Sequence, residues 1–111
     1  MTAVKSDVLR GTLDLMILKA LDAMGPLHGY AIARRIEQIS GQQLAINQGT
    51  IYPALVKLSR HKWIATKWGE SSTGRRVKFY AITAKGQSQL RAEEDDWQRA
   101  SGIVARFFKL S

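Results

Sequence analysis

Cysteine is absent from this 111-residue chain, which removes disulfides and thiolate metal sites from consideration. Its two histidines, His28 and His61, are isolated from one another, so no zinc site is suggested, and no metal or cofactor is expected. No apolar run approaches the roughly 20 residues of a membrane span, and the start MTAVKSDVLRG lacks the apolar core of a signal peptide. A soluble, cytoplasmic protein is therefore expected. Also missing are a nucleophile–base pair, a paired-carboxylate constellation and a phosphate-cradling glycine loop, so the reading is of a non-enzyme. Acidic side chains are scarce as well, 9 against 17 Lys and Arg, leaving a net charge of +8 and polyanions as the default partners.

That positive charge is local. Between residues 57 and 85 lie Lys57, Arg60, Lys62, Lys67, Arg75, Arg76, Lys78 and Lys85, opposed by Glu70 alone. Glu93, Glu94, Asp95 and Asp96 form an acidic run near the C-terminus, read as a solvated helix face or as a set of pairs to arginines within a dimer. The length allows one domain-sized core.

Along the chain, Leu13, Ile17, Ala20, Leu21 and Met24 trace a helical stripe that Thr12 precedes as N-cap and Gly25-Pro26 ends. Leu15, Met16 and Leu18 widen it, which suits a central core helix or one shared with a second subunit. A second helix is expected from about His28 to Ser40, with Tyr30, Ala33, Ile36 and Ile39 on one side and Gly41 as its stop; His28 serves as a cap or packing group, or else as a pH sensor.

The third helix is NQGTIYPALVKL, residues 47–58, capped by Asn47, with Ile51, Leu55 and Leu58 on one face and Gln48, Thr50, Tyr52 and Lys57 largely off it. Those polar groups suit phosphates and base edges. Pro53 disturbs the pattern, so either the first turn is irregular or the helix proper begins near Pro53; Gly49 relieves the crowding and would admit a DNA backbone. WIATKW and VKFYAIT then read as two strands joined by GESSTGRR, a hairpin whose tip carries Arg75 and Arg76, either as solvated loop residues or as phosphate or minor-groove contacts. Thr83 should cap a last helix from about Ala84 to Lys109, with Leu90, Trp97 and Val104 seven residues apart and Phe107 near the same side. At ~1.5 Å per residue it would be about 39 Å long, too long for its own domain to cover, so a second chain is expected along it. Trp97 is then an interface anchor, or in addition a stacking surface for a planar ligand.

Three helices followed by a basic hairpin is the order of a winged helix-turn-helix, and GTLDLMILKAL, GPLHGYAIARRI, GTIYPALVKL and FYAITAKG closely resemble the PadR family of bacterial transcriptional regulators. The resemblance spans about Arg10 to Phe108. It implies a mainly α fold with a small β-hairpin: a winged helix-turn-helix over residues 1–83 and a C-terminal dimerisation helix over 84–111. It places the recognition helix on Gln48 to Arg60, with Thr50, Tyr52 and Lys57 toward DNA unless Tyr52 is a structural tyrosine, and the wing on Trp63 to Ile82, with Arg75, Arg76 and Lys78 near the backbone or minor groove. A single helix after the wing resembles the short-tailed subgroup, whose last helix crosses to the partner's first helix in a homodimer and in some members holds flat aromatic drugs between tryptophans in the region of Trp97. His61-Lys62 departs from the acidic residue and glycine often found there, and a left-handed Lys62 would cost on the order of 1 kcal/mol relative to glycine.

The expected function is sequence-specific binding of double-stranded DNA at an inverted repeat by a homodimeric repressor, with an aromatic effector as candidate ligand. A winged-helix module that binds RNA or a protein without operator specificity is the alternative. The expected DNA-facing set is Gln48, Gly49, Thr50, Tyr52, Lys57, Arg60, Arg75, Arg76 and Lys78; the expected dimer contacts are Leu90, Trp97, Val104 and Phe107.

Overall fold

A computed structural model of the chain describes residues 12–110; the outer ends of the two expected units, at residues 1 and 111, and the start of the resemblance at Arg10 lie outside them. The described elements are helix α1 (Leu13–Met24), strand β1 (Leu27–His28), helices α2 (Gly29–Ile39) and α3 (Gln48–Arg60), strands β2 (Ile64–Glu70) and β3 (Arg76–Ile82), and helix α4 (Ala84–Phe107). None of these helices is long and apolar enough to cross a membrane. The winged helix-turn-helix order is therefore present, with one addition: β1 joins the hairpin to make a three-stranded antiparallel sheet in the order β1-β3-β2. Leu27 pairs with Tyr80 and His28 with Phe79. Two residues are too few to generate the alternation by which a strand is read from sequence.

The core joins all three layers. Ile17, Leu18 and Leu21 of α1, Ile32 and Ile36 of α2, and Ile51, Leu55 and Leu58 of α3 meet Ile64 and Tyr80 of the sheet and Leu90 of α4. On α2 the buried stripe is Gly29, Ile32, Ala33 and Ile36, whereas Tyr30 and Ile39, expected on that side, are 59% and 65% exposed. Each lies one flank away from the stripe: Tyr30 stacks beside His28, and Ile39 borders an apolar groove over α1. His28 caps α2, its Nδ1 accepting from the Ala31 N–H at 3.3 Å, and its ring meets the Phe79 edge. Leu44 and Ile46 then enter the core from the connection to α3, whose backbone is held by Ser40 and by the Glu37 carboxylate accepting from the Ile46 N–H at 3.0 Å.

α3 ends in a Schellman turn: the Trp63 N–H donates to the Leu58 carbonyl and the Lys62 N–H to that of Ser59. This requires a left-handed residue, and Lys62 has φ 62°. Lys62→Gly is expected to raise stability by about 1 kcal/mol in urea denaturation, because glycine adopts that conformation without the Cβ penalty; an unchanged midpoint would show the turn to be unstrained.

Candidate nucleic-acid interface

α3 begins at Gln48, so the helix is regular ahead of Pro53 and does not start there. Asn47 makes this possible by accepting the Thr50 N–H at 3.0 Å. The hydroxyl of Thr50 also donates to Asn47 Oδ1, at 3.1 Å, so this threonine is engaged in the cap it helps to build. Pro53 carries no N–H, which frees the carbonyl of exposed Gly49 from the helical ladder.

The burial of Ile51, Leu55 and Leu58 fixes which side of α3 faces out. At 3.6 residues per turn, Gly49, Pro53, Val56 and Arg60 fall within about 60° of one another, opposite the buried stripe. All four are exposed. The expected polar residues lie on the flanks of this row. Tyr52, 41% exposed, turns toward α2 and the sheet, where its ring fits against Gly29 so closely that a Cβ there would lie 3.1 Å from the ring and hydroxyl. Tyr80 lies nearby, its phenol pushed above its ordinary value by burial first and by Tyr52 second.

Lys57 turns the other way. Its ammonium lies 2.6 Å from the Asp14 carboxylate of α1. Lys57, expected on the DNA-facing side, is thus ion-paired within the chain, across 43 positions of sequence, while its side chain stays 57% exposed. The hydrogen bond and charge of Asp14 raise the Lys57 pKa above its ordinary 10.5. A raised lysine stabilises the fold fully below the ordinary value and loses that contribution only as pH climbs through the raised one, so the pair is intact at neutral pH.

The wing carries cations that make no ion pair among the described residues. At its tip the Ser71 N–H donates to the Arg75 carbonyl at 2.8 Å, the Gly74 N–H to the Ser71 carbonyl, and the Arg75 N–H to Ser71 Oγ, so Arg75 closes an ordered turn and Arg76, expected at the tip, opens β3 opposite Glu70. Trp68 pairs with Lys78 across β2 and β3, placing Trp68, Arg76 and Lys78 on one face of the hairpin. The Arg76 guanidinium lies 4.9 Å and the Lys78 ammonium 5.6 Å from the centre of the Trp68 ring. Such cation–π contacts order long basic side chains at little cost in desolvation. Between this face and α3 runs a groove of about 820 Å³, bordered by Tyr52, Val56, Trp68, Arg75, Arg76 and Lys78.

Tyr52, Arg75, Arg76 and Lys78 therefore border one groove, with Gly49 and Arg60 on the outward row of α3, Gln48 exposed at the start of that helix, Thr50 tied to its cap and Lys57 directed to α1. Val56, Pro53 and Trp68 are not among the expected residues; Val56 and Trp68 border the groove and Pro53 lies on the outward row. The signal for the first two was available, since they lie opposite the apolar stripe of α3; nothing in the sequence marked Trp68 as the platform for two cations.

At the other end, α4 starts from Thr83, whose Oγ1 accepts the Gly86 N–H at 3.0 Å and donates to the Lys62 carbonyl at 2.7 Å. Its first half rests on α1, where Lys19 meets Glu94 at 3.2 Å and Gln87 donates to Asp22. Leu90, expected at a dimer interface, is instead buried in the chain's own core at 3% exposure, because this half of α4 needs it to close over α1. From Asp95 onward every described residue of α4 is exposed, including Trp97, Ile103, Val104 and Phe107 at 51% or more.

Residues 17–92 match the family model described as the transcriptional regulator PadR-like family. A transcriptional regulator from Clostridium thermocellum superposes with a TM-score of 0.83 at 28% identity, covering 93% of this chain and 99% of that one. A PadR-like transcriptional regulator from Bacillus cereus gives 0.81 at 27% identity, covering 95% and 99%. In sequence, the chain is 28% identical over 106 residues to a Lysinibacillus sphaericus protein called protein X, with 96% of each chain covered.

Proposed function

The chain belongs to the PadR-like family of transcriptional regulators, and from that premise we propose that it is a homodimeric repressor whose two α3 helices read an inverted repeat. The family is one of regulators rather than enzymes, and the proposal assigns DNA as the partner of the α3–wing surface. The observation that carries it is the arrangement of Arg75, Arg76 and Lys78 on an ordered wing beside the outward row of α3. Cations of this kind position the protein on phosphates while the helix between them meets base edges.

Dimerisation is supported by two apolar surfaces that stand exposed among the described residues. One is the second half of α4; the other is a groove of about 330 Å³ over α1 and α2, bordered by Leu15, Met16, Met24, Ile36 and Ile39. The distal α4 of one protomer fits the α1 groove of its partner, with Trp97, Val104 and Phe107 as contacts. Residues 12–83 then form the DNA-binding unit and α4 the dimerisation helix, although its first half also completes the core. A two-fold axis would set the α3 helices about 34 Å apart, in successive major grooves. Occupancy of a promoter represses it, and a flat aromatic effector beside Trp97 would act by favouring a different separation of the two helices.

Two substitutions separate these roles. Tyr52→Phe keeps the ring against Gly29 and removes the hydroxyl, for which no hydrogen-bond partner is found among the described residues; it is expected to weaken operator binding about tenfold, the value of a hydrogen bond to a charged phosphate, with the dimer intact. Trp97→Ala is expected to shift sedimentation toward monomer and to weaken DNA binding only through that loss. Full operator affinity in the first variant, or an unchanged dimer in the second, would remove the assigned role.

A further inference from the structure

The outward row of α3 has an unusual chemistry for a helix that reads bases. Gly49, Pro53 and Val56 carry no side-chain donor or acceptor, and Arg60 stands at the far end of the row. Two of the hydrogen-bonding side chains on its flanks are engaged within the chain, Thr50 with Asn47 at 3.1 Å and Lys57 with Asp14 at 2.6 Å, while Gln48 and the Tyr52 hydroxyl stand beside the row rather than on it. The central turn of the helix thus meets its partner through Val56, 50% exposed, beside the pyrrolidine ring of Pro53. In the major groove the apolar feature of a base pair is the 5-methyl group of thymine.

We infer that Val56, flanked by Pro53, is a specificity-determining residue that reads a thymine 5-methyl group in each half-site. This deepens the proposed DNA-binding function and rests on it. Position supports the assignment in two ways. Val56 borders the groove between α3 and the wing, so Arg75, Arg76 and Lys78 are placed to hold phosphates on the same duplex while Val56 faces its bases. Half of its surface is also exposed within the chain, which leaves its methyls open to a partner. Gly49 and Pro53 keep the adjoining surface low, which lets the valine methyls approach a base edge rather than being held off by longer neighbours.

The test uses the full-length protein and duplexes selected by it from a random pool. Each thymine of the selected site is replaced in turn by deoxyuridine, which leaves the Watson–Crick pairing unchanged and deletes the methyl. At one thymine per half-site, replacement is expected to weaken binding about fourfold, and replacement of both symmetry mates by on the order of tenfold, as for a buried methyl group. Val56→Ala, at an exposed site, is expected to melt as the parent does and to bind thymine and deoxyuridine duplexes with equal affinity, since the two changes delete the same contact. Val56→Thr, which keeps one γ-methyl, should retain part of the discrimination. Unchanged affinity for every deoxyuridine duplex, or an undiminished thymine preference in Val56→Ala, would overturn the inference while leaving specific DNA binding in place. Equal binding of selected and scrambled duplexes would overturn the underlying function itself, a separately readable result.

Discussion

Replacing Arg75 and Arg76 together with alanine is expected to lower affinity for DNA on the order of 10³-fold near 0.1 M salt. In a dimer the change deletes four phosphate contacts, and each contributes about 0.9 to the slope of log affinity against log salt, so the slope should become shallower by about 3.6. Selected and scrambled duplexes should weaken alike, since phosphates carry no base information. Fold stability should change by less than about 0.5 kcal/mol, because both side chains are exposed and the tip is held by Ser71 and the backbone. The structure ranks the wing cations above Lys57 for this reason: among the described residues Arg75 and Arg76 make no ion pair with a carboxylate, whereas the Lys57 ammonium is held by Asp14. Anisotropy titrations across a salt series measure the slope directly. A slope unchanged by the double substitution would place the phosphates elsewhere.

Gly86→Ala is expected to have the largest effect on the fold. Gly86 lies where the first turn of α4 crosses the end of α3's turn, and a Cβ there would fall on the carbonyl oxygen of Trp63, with Ile82 Cγ1 at 2.8 Å. The carbonyl cannot swing away, because it accepts the Thr83 N–H at 3.0 Å, while the preceding carbonyl of Lys62 accepts the Thr83 hydroxyl. Relief therefore requires α4 to lift from the sheet, which would also withdraw Leu90 from the core. Overpacking against backbone costs about 3 kcal/mol, and at several degrees per kcal/mol the melting temperature should fall by more than about 10 °C. Loss of the α4 position also removes the geometry that spaces two α3 helices, so DNA binding should fail with it. Circular dichroism on heating decides the point; a melting temperature equal to the parent's would contradict the close approach of α4 to Trp63.

The elements that repeat with a strong period were legible in the sequence. Ile51, Leu55 and Leu58 marked the buried side of α3, Asn47 and Thr83 marked two helix starts, and alternation through Ile64, Thr66 and Trp68 marked β2, all as the structure has them. What escaped depends on contacts between distant segments. The heptad spacing of Leu90, Trp97 and Val104 suggested one continuous seam, yet Leu90 is claimed by the core before any partner can reach it. A heptad records that a face is apolar, not which neighbour covers each part of it. The ion pair of Lys57 is not legible in the sequence, because Asp14, which holds it, lies in another helix. Val56 departs from the pattern in another way: it is an exposed apolar residue opposite the core stripe of α3.

Operator specificity is decided by a competition titration at about 0.15 M salt, in which a labelled inverted-repeat duplex selected by the protein is challenged with a scrambled duplex of the same composition and with RNA of the same length. Sequence-specific binding by a dimer predicts two chains bound per selected duplex and an affinity for it on the order of 10³-fold or more above that for either competitor. Equal affinities for the three would contradict it.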